Sequence, residues 1–318
     1  MRQVAILLQM RSAVALLLAL AIGCAHAPAP RPAFISSRER APLVIGKATA
    51  ETRAAAVVAD ASPTVAEAVQ AGKHWRVTTD RGPVHVWVPA GFDRRTAMTI
   101  VYIHGYWTDV DRAWAEHQLP SQFARSGLNA MFVACGGPET YTDPVVWDSL
   151  PALLDAVETG IDAPMAHGRV VAVGHSAAWR TLTAWVTAPD DPLDTLVMFD
   201  ALYEVPQFLA WIKASRDHRL IDVGDDTRPW TEQLHRALPE SIVLEHMPDL
   251  GDDLPRGSID AHVLYIKSEV GHMPLVTGGV ALPMVLRALW VAPAGGAPQD
   301  APLGVLPPPP PVLACDDR

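Results

Sequence analysis

The sequence predicts an α/β fold: a mostly parallel sheet with helices on both faces and a β-hairpin at its start. Three observations predict it. Short β-branched bursts alternate with stretches of helical periodicity over residues 73–291, the pattern of strands buried on both faces by crossover helices. Ahead of them, Trp75–Thr79 and Val84–Val88 alternate around Arg81-Gly82-Pro83, which reads as the hairpin. The 29 prolines concentrate toward the two ends, which sets those ends apart from the folded body.

Taken in order, Thr99–Ile103 reads as a strand and Asp111–Arg125 as one helix. Leu128–Ala134 precedes a helix over Leu150–Glu158, whose Pro151 is tolerated in the first turn. Val170–Val173 leads to a helix over Ala177–Val186, and Leu196–Phe199 to one over Pro206–Ser215. Arg219–Val223 precedes Thr231–Leu238, and Val263–Lys267 precedes Val280–Trp290. Phe199 to Arg219 has room for about one helix, so no large lid is expected after the strand that follows the Ala177–Val186 helix.

The ends read differently. Arg2 and Arg11 flank an apolar start, and Ala13–Ile22 has the length of a signal h-region rather than a membrane span. Residues 1–24 therefore read as an export signal of lipoprotein type. Gly23-Cys24 offers a site for lipidation, and Ala25-His26-Ala27 offers a competing ordinary cleavage site. A lipid on Cys24 would hold the protein to a membrane of the bacterial envelope. Residues 25–72 read as an Ala/Pro-rich linker, with a short helix near Val65–Gln70. Residues 292–318 read as a disordered tail carrying the polyproline rod Pro307–Pro311. In an oxidising compartment Cys135 and Cys315 either pair or stay free.

With 25 basic against 35 acidic side chains, nucleic acid is excluded as a partner class. The acids of the Met247–Ala261 excursion, Asp249, Asp252, Asp253 and Asp260, repeat no ligand spacing. They read as a solvated loop, and neither metal nor cofactor is expected.

Chemistry concentrates in three places. Val170–Val173 runs into Gly174-His175-Ser176-Ala177-Ala178 and then a helix, the strand–turn–helix setting of a nucleophile elbow. The flanking positions must be small because strand and helix pass close to the serine. Gly174 meets that need, and Ala178 adds one methyl where glycine is usual. Next, His104-Gly105-Tyr106-Trp107 follows the Thr99–Ile103 strand. Last, Gly271-His272 follows the Val263–Lys267 strand. His235, His246 and His262 are the rival histidines, assigned to a helix, a strand before the acidic loop, and a strand start.

In this order the three motifs resemble the α/β-hydrolase family over roughly residues 75–290. The resemblance implies a Ser…acid…His triad and an acyl-enzyme route through an ester or, less often, an amide of a small or envelope-derived substrate. Ser176 is then the nucleophile, His272 the base, and the N–H groups of Ala177 and Tyr106 the oxyanion donors, with Trp107 the alternative to Tyr106. The acid must lie between Ser176 and His272. Asp200, ending a burst, is preferred over Asp225 or Asp226, which follow the next strand. Tyr106, Trp107, Trp179 and Tyr203 are candidates to surround Ser176, with core packing the other reading for Trp179. A non-catalytic envelope lipoprotein on the same fold, or an acyltransferase with the same triad, are the alternative functions.

Overall fold

The computed structural model describes residues 63–249 and 253–289. They belong to the second of two compact units, Ala59–Arg318. The expected signal segment with Cys24, most of the expected linker, Leu250–Asp252, the proline-rich tail and Cys315 lie outside the described residues.

The strands are β1 (Lys73–Thr79), β2 (Gly82–Val88), β3 (Met98–Ile103), β4 (Ala130–Cys135), β5 (Val170–His175), β6 (Leu193–Phe199), β7 (Arg219–Gly224), β8 (Ile242–Leu244) and β9 (Val263–Lys267). They form one sheet in the order β1-β2-β4-β3-β5-β6-β7-β9-β8. β1 and β2 are antiparallel, as is β2 to β4, and every later pairing is parallel. β4 and β7 are buried at every position, as strands covered on both faces must be. The sheet divides the core into two apolar layers. One gathers Val101, Leu153, Leu182, Trp185 and Phe208, the other Ile100, Phe123, Phe132, Leu264 and Leu286.

The helices are α1 (Val65–Ala71), α2 (Val110–Glu116), α3 (Leu119–Ser126), α4 (Leu150–Gly160), α5 (Trp179–Val186), α6 (Pro206–Ala214), α7 (Arg228–Ala237), α8 (Arg256–Ile259), α9 (Pro274–Thr277) and α10 (Ala281–Arg287). Several begin where the sequence supplies a cap. Asp109 accepts from the Arg112 N–H at 2.9 Å, and Ser149 from the Ala152 N–H at 3.3 Å. α1 carries a full capping box between Thr64 and Glu67 and packs against α3. The folded body therefore begins inside the stretch that the sequence assigns to the linker.

Four other expectations are corrected. The predicted Asp111–Arg125 helix is two helices. Gln118 turns left-handed at φ 50°, and Pro120 sits in the first turn of α3. The hairpin turns at Asp80–Arg81, one residue early, because the Thr79 hydroxyl bonds both the Arg81 N–H and the Gly82 carbonyl. β8 ends at Leu244, so His246 lies beyond it in an exposed stretch. The last helix is shorter than Val280–Trp290, spanning Ala281–Arg287. One helix, α6, separates β6 from β7, as expected without a large lid.

Candidate active site

The parallel strands bring their carboxyl ends to one edge of the sheet, where open α/β sheets place their sites. At the end of β5 the chain passes from His175 into a 3₁₀ turn over Ser176–Ala178 and then α5. Ser176 holds φ 52°, a left-handed conformation costing a non-glycine residue about 1–2 kcal/mol. The small neighbours are required by contact. A Cβ at position 174 would lie 2.7 Å from Leu182 Cδ1 and 3.0 Å from Ala178 Cβ. The turn accepts the extra methyl of Ala178 because position 174 has none. Gly105, from the His104-Gly105 loop, abuts the same turn: a Cβ there would meet Ser176 Cβ at 2.8 Å.

Asp200 follows β6 and is also left-handed, at φ 44°. Its carboxylate is fully buried. Oδ1 accepts from the Asp225 N–H at 2.8 Å and from the Thr227 N–H and hydroxyl, each at 3.4 Å. Oδ2 lies 3.2 Å from His272 Nδ1. Gly224 leaves room for this: a Cβ there would fall 2.6 Å from Asp200 Oδ1. Burial pushes the Asp200 carboxyl up in pKa. The bonds from His272 and the Asp225 N–H, with the His272 charge, outweigh it and leave the group below its ordinary value.

The structure brings Asp200 and His272 together, and it adds a second carboxylate. Asp226 Oδ2 lies 3.4 Å from the same Nδ1. The two acids differ in support: Asp226 is 60% exposed, whereas Asp200 is held by three further donors. Asp225 pairs with Arg228 at 2.6 Å and donates only its backbone N–H to the cluster. Among the described residues, Asp200, Asp226 and His272 are also the set whose ligand atoms converge within 4.8 Å. With Asp200 Oδ1 saturated by N–H and O–H donors, that convergence suits a proton held on Nδ1 better than a cation.

The His104 loop is pinned at both ring nitrogens. Nδ1 donates to the Gly105 carbonyl at 2.7 Å, and Nε2 accepts from the Gly137 N–H at 3.0 Å. Burial lowers the pKa of His104 and keeps it in this neutral form. The Trp107 N–H donates to the Glu139 carbonyl at 2.8 Å, which removes Trp107 as an oxyanion donor. Among the described residues, the N–H groups of Tyr106 and Ala177 donate to no protein acceptor.

Aromatic side chains rim this edge. Trp107 is 65% and Tyr141 70% exposed, and Met273, beside His272, is 47% exposed. Tyr141 meets Tyr106 and Trp107 edge-on, with ring centroids 4.6 and 5.6 Å apart. Arg180, in the first turn of α5, fastens this group. Its guanidinium lies 3.4 Å from the Tyr106 hydroxyl and the carbonyls of Thr140 and Tyr141, and 2.8 Å from that of Asp143. Tyr203 stands beside Ser176 and packs on Trp230 at 5.2 Å. Trp179 packs against the core instead.

The rival histidines lie elsewhere. His235 bonds the Ser241 hydroxyl at 2.7 Å, His246 pairs with Glu269, and His262 precedes β9 at the opposite edge of the sheet. Another histidine–carboxylate pair joins the hairpin to α2: His85 Nε2 lies 2.8 Å from Asp111 Oδ1, and Arg76 holds the same carboxylate with two 2.7 Å bonds. The sequence offers Asp226 only as an alternative to Asp200; it does not reveal that both meet His272, the fastening by Arg180, or the surroundings of His175. The only signal for the last was its place beside Ser176.

The strand order, the strained serine after β5, the acid after β6 and the histidine after β9 define the α/β-hydrolase fold. Solved structures similar to this chain include three esterases. A feruloyl esterase module from Clostridium thermocellum is 12% identical, with 70% of this chain and 89% of that chain covered at a TM-score of 0.47. An esterase of Pyrococcus furiosus is 14% identical, covering 65% and 86% at 0.39. An esterase of the archaeon Pyrobaculum calidifontis is 14% identical, covering 68% and 81% at 0.41. No family model and no curated protein matches the chain.

Proposed function

We propose that this protein is a serine hydrolase that cleaves carboxylic esters through an acyl-enzyme. The observation that carries the reading is the buried Asp200 carboxylate on His272 Nδ1, at the sheet edge where β5 ends in the strained Ser176 turn. With Nδ1–H donated to Asp200, the bare Nε2 of His272 is the basic nitrogen. Ser176 Oγ attacks the ester carbonyl carbon as its proton passes to Nε2. The carbonyl oxygen, now an anion, takes the free N–H groups of Tyr106 and Ala177, donors worth about 10²–10³-fold in rate each. The imidazolium, stabilised by Asp200, returns the proton to the departing alcohol. Water then repeats the sequence on the acyl-enzyme and releases the acid.

The exposed rim of Trp107, Tyr141 and Met273 supports a substrate with a bulky apolar group, because these side chains gain by covering apolar surface. Export rests on the Ala13–Ile22 run and Gly23-Cys24, and the mass of the mature N-terminus tests it.

The test of the hydrolase reading is a fluorophosphonate probe, with a panel of aryl and alkyl esters and amides, applied to wild type and Ser176→Ala. Labelling and ester turnover by wild type, both lost in the variant, are expected. A folded wild-type protein that takes no label and turns over no ester leaves the fold as a binding scaffold. Transfer of the acyl group to added alcohols in preference to water makes it an acyltransferase.

A further inference from the structure

The proposed chemistry leaves His175 unused, although it precedes the nucleophile and is buried, with 2% of its surface exposed. Its side chain touches both loops that complete the site. Nε2 lies 3.2 Å from the backbone carbonyl of His272, and the two imidazole rings pack with centroids 4.6 Å apart. Nδ1 abuts the oxyanion loop: a Cβ at Gly105 would stand 3.2 Å from it. The His117 ring meets the His175 ring edge-on at 6.3 Å.

The contacts fix the protonation of the ring. A carbonyl only accepts, so Nε2 carries the hydrogen. A second proton on Nδ1 would put a cation beside His272 and His117 in an interior site. Burial, and then the two neighbouring histidines, push the pKa of His175 down to about 3, against a small opposing pull from the His272 carbonyl and Asp200. His117 is itself held neutral, mainly by burial, with its Nδ1 2.8 Å from the Tyr102 hydroxyl.

We infer that His175 is a positioning residue for the base: its Nε2–H grips the His272 backbone while its ring spaces the His272 imidazole from the Gly105 loop. The inference rests on the reading of His272 as base. Its logic is geometric. His272 lies 97 residues from His175 in sequence and is carried by a loop rather than by a strand or helix. Asp200 fixes one atom of its side chain, and a second fixed point on its backbone is needed to set the direction of Nε2. A displacement of about 1 Å in such a group costs on the order of 10²-fold in rate. Because the gripping ring is neutral, it does not oppose the imidazolium that forms on His272 during the reaction.

Two experiments on the full chain test this. The first compares His175→Leu, which removes the donor, with His175→Gln, which keeps an N–H at similar reach. His175→Leu is expected to lower kcat by about 10- to 100-fold with KM nearly unchanged, and to shift the acid limb of the pH profile. His175→Gln is expected to recover most of the loss. A folded His175→Leu within twofold of wild-type kcat overturns the inference, as does a folded glutamine variant no better than leucine. The second keeps the wild type, so it holds even if the variants do not fold. Nitrogen-15 spectra of the histidine rings are expected to show His175 neutral and protonated on Nε2 from pH 5 to 9. A ring that titrates in that range, or that carries its proton on Nδ1, overturns the inference. Loss of the hydrolase reading would appear separately, as wild type that neither labels nor turns over ester while the ring spectra stay as expected.

Discussion

Asp200, just past β6, and Asp222, inside the neighbouring β7, are buried carboxyls, 0% and 1% exposed, and their acidities move in opposite directions. Asp222 sits inside β7, where the backbone N–H groups are committed to the sheet. It accepts from the Thr231 hydroxyl at 2.5 Å, and among the described residues its Oδ1 has no partner. Burial pushes its pKa up to about 7. Asp200 lies one residue past β6, where the left-handed turn and the Gly224–Thr227 bend aim free donors at it. Burial acts on both carboxyls. The end of a strand supplies the hydrogen bonds that reverse its effect, and the middle of a strand does not.

The largest expected effect is at Asp200. Asp200→Asn leaves the shape of the cluster but removes the acceptor that fixes His272, and kcat should fall by about 10³–10⁴-fold in ester assays. Asp226→Asn is the direct challenge. With Asp226 exposed and held by no comparable set of donors, its loss should cost less than about 10-fold. Equal losses for the two variants would transfer the role of acid to Asp226.

Asp222 breaks the comparison in the other direction. A carboxyl whose folded pKa is raised binds its proton more tightly folded than unfolded. Its stabilising effect is complete below about pH 4 and is lost as pH rises toward 7, at a slope of about 1.4 kcal/mol per pH unit. Asp222→Asn should flatten that slope in urea titrations between pH 4 and 7, leaving kcat within a few-fold.

The smallest effect belongs to the hairpin pair. Arg76, with help from His85, lowers Asp111 to about 2. That contribution is present above about pH 4 and lost as pH falls through 2. Because Asp111 is 44% exposed and screened, Asp111→Asn should cost less than about 1 kcal/mol in urea unfolding and leave activity unchanged. A larger stability loss, or any change in kcat, would mean that histidine–carboxylate contacts matter here whatever their burial.

The legible parts of the sequence were those with a local signature. The bursts become strands, the Gly174–Ala178 turn carries a strained Ser176, and His272 falls in the loop after β9. Asp200 was readable only as a preference over Asp225 and Asp226. Ending an apolar burst places an acid at the sheet edge, but the donors that hold it come from residues 225 and 227, one strand away. Pro120 carries the signal for the break between α2 and α3, since a helix tolerates proline only in its first turn, whereas nothing in the Gln118 side chain marks its left-handed backbone. His175 and Arg180 stayed silent because their partners lie 97 and about 40 residues away in the chain.

Arg180 also bears on how the rim of this sheet edge is held. The Glu139–Asp143 stretch has no helix or strand of its own, and one cation on the helix after Ser176 gathers the carbonyls of Thr140, Tyr141 and Asp143. With the Trp107 N–H on the Glu139 carbonyl, that cation gives the stretch two points of attachment. A grafted loop of different composition would seat where it returned carbonyl oxygens to both the guanidinium and the Trp107 N–H. The rim beside Ser176 would then change with no change to the strand or to the turn that bears the serine.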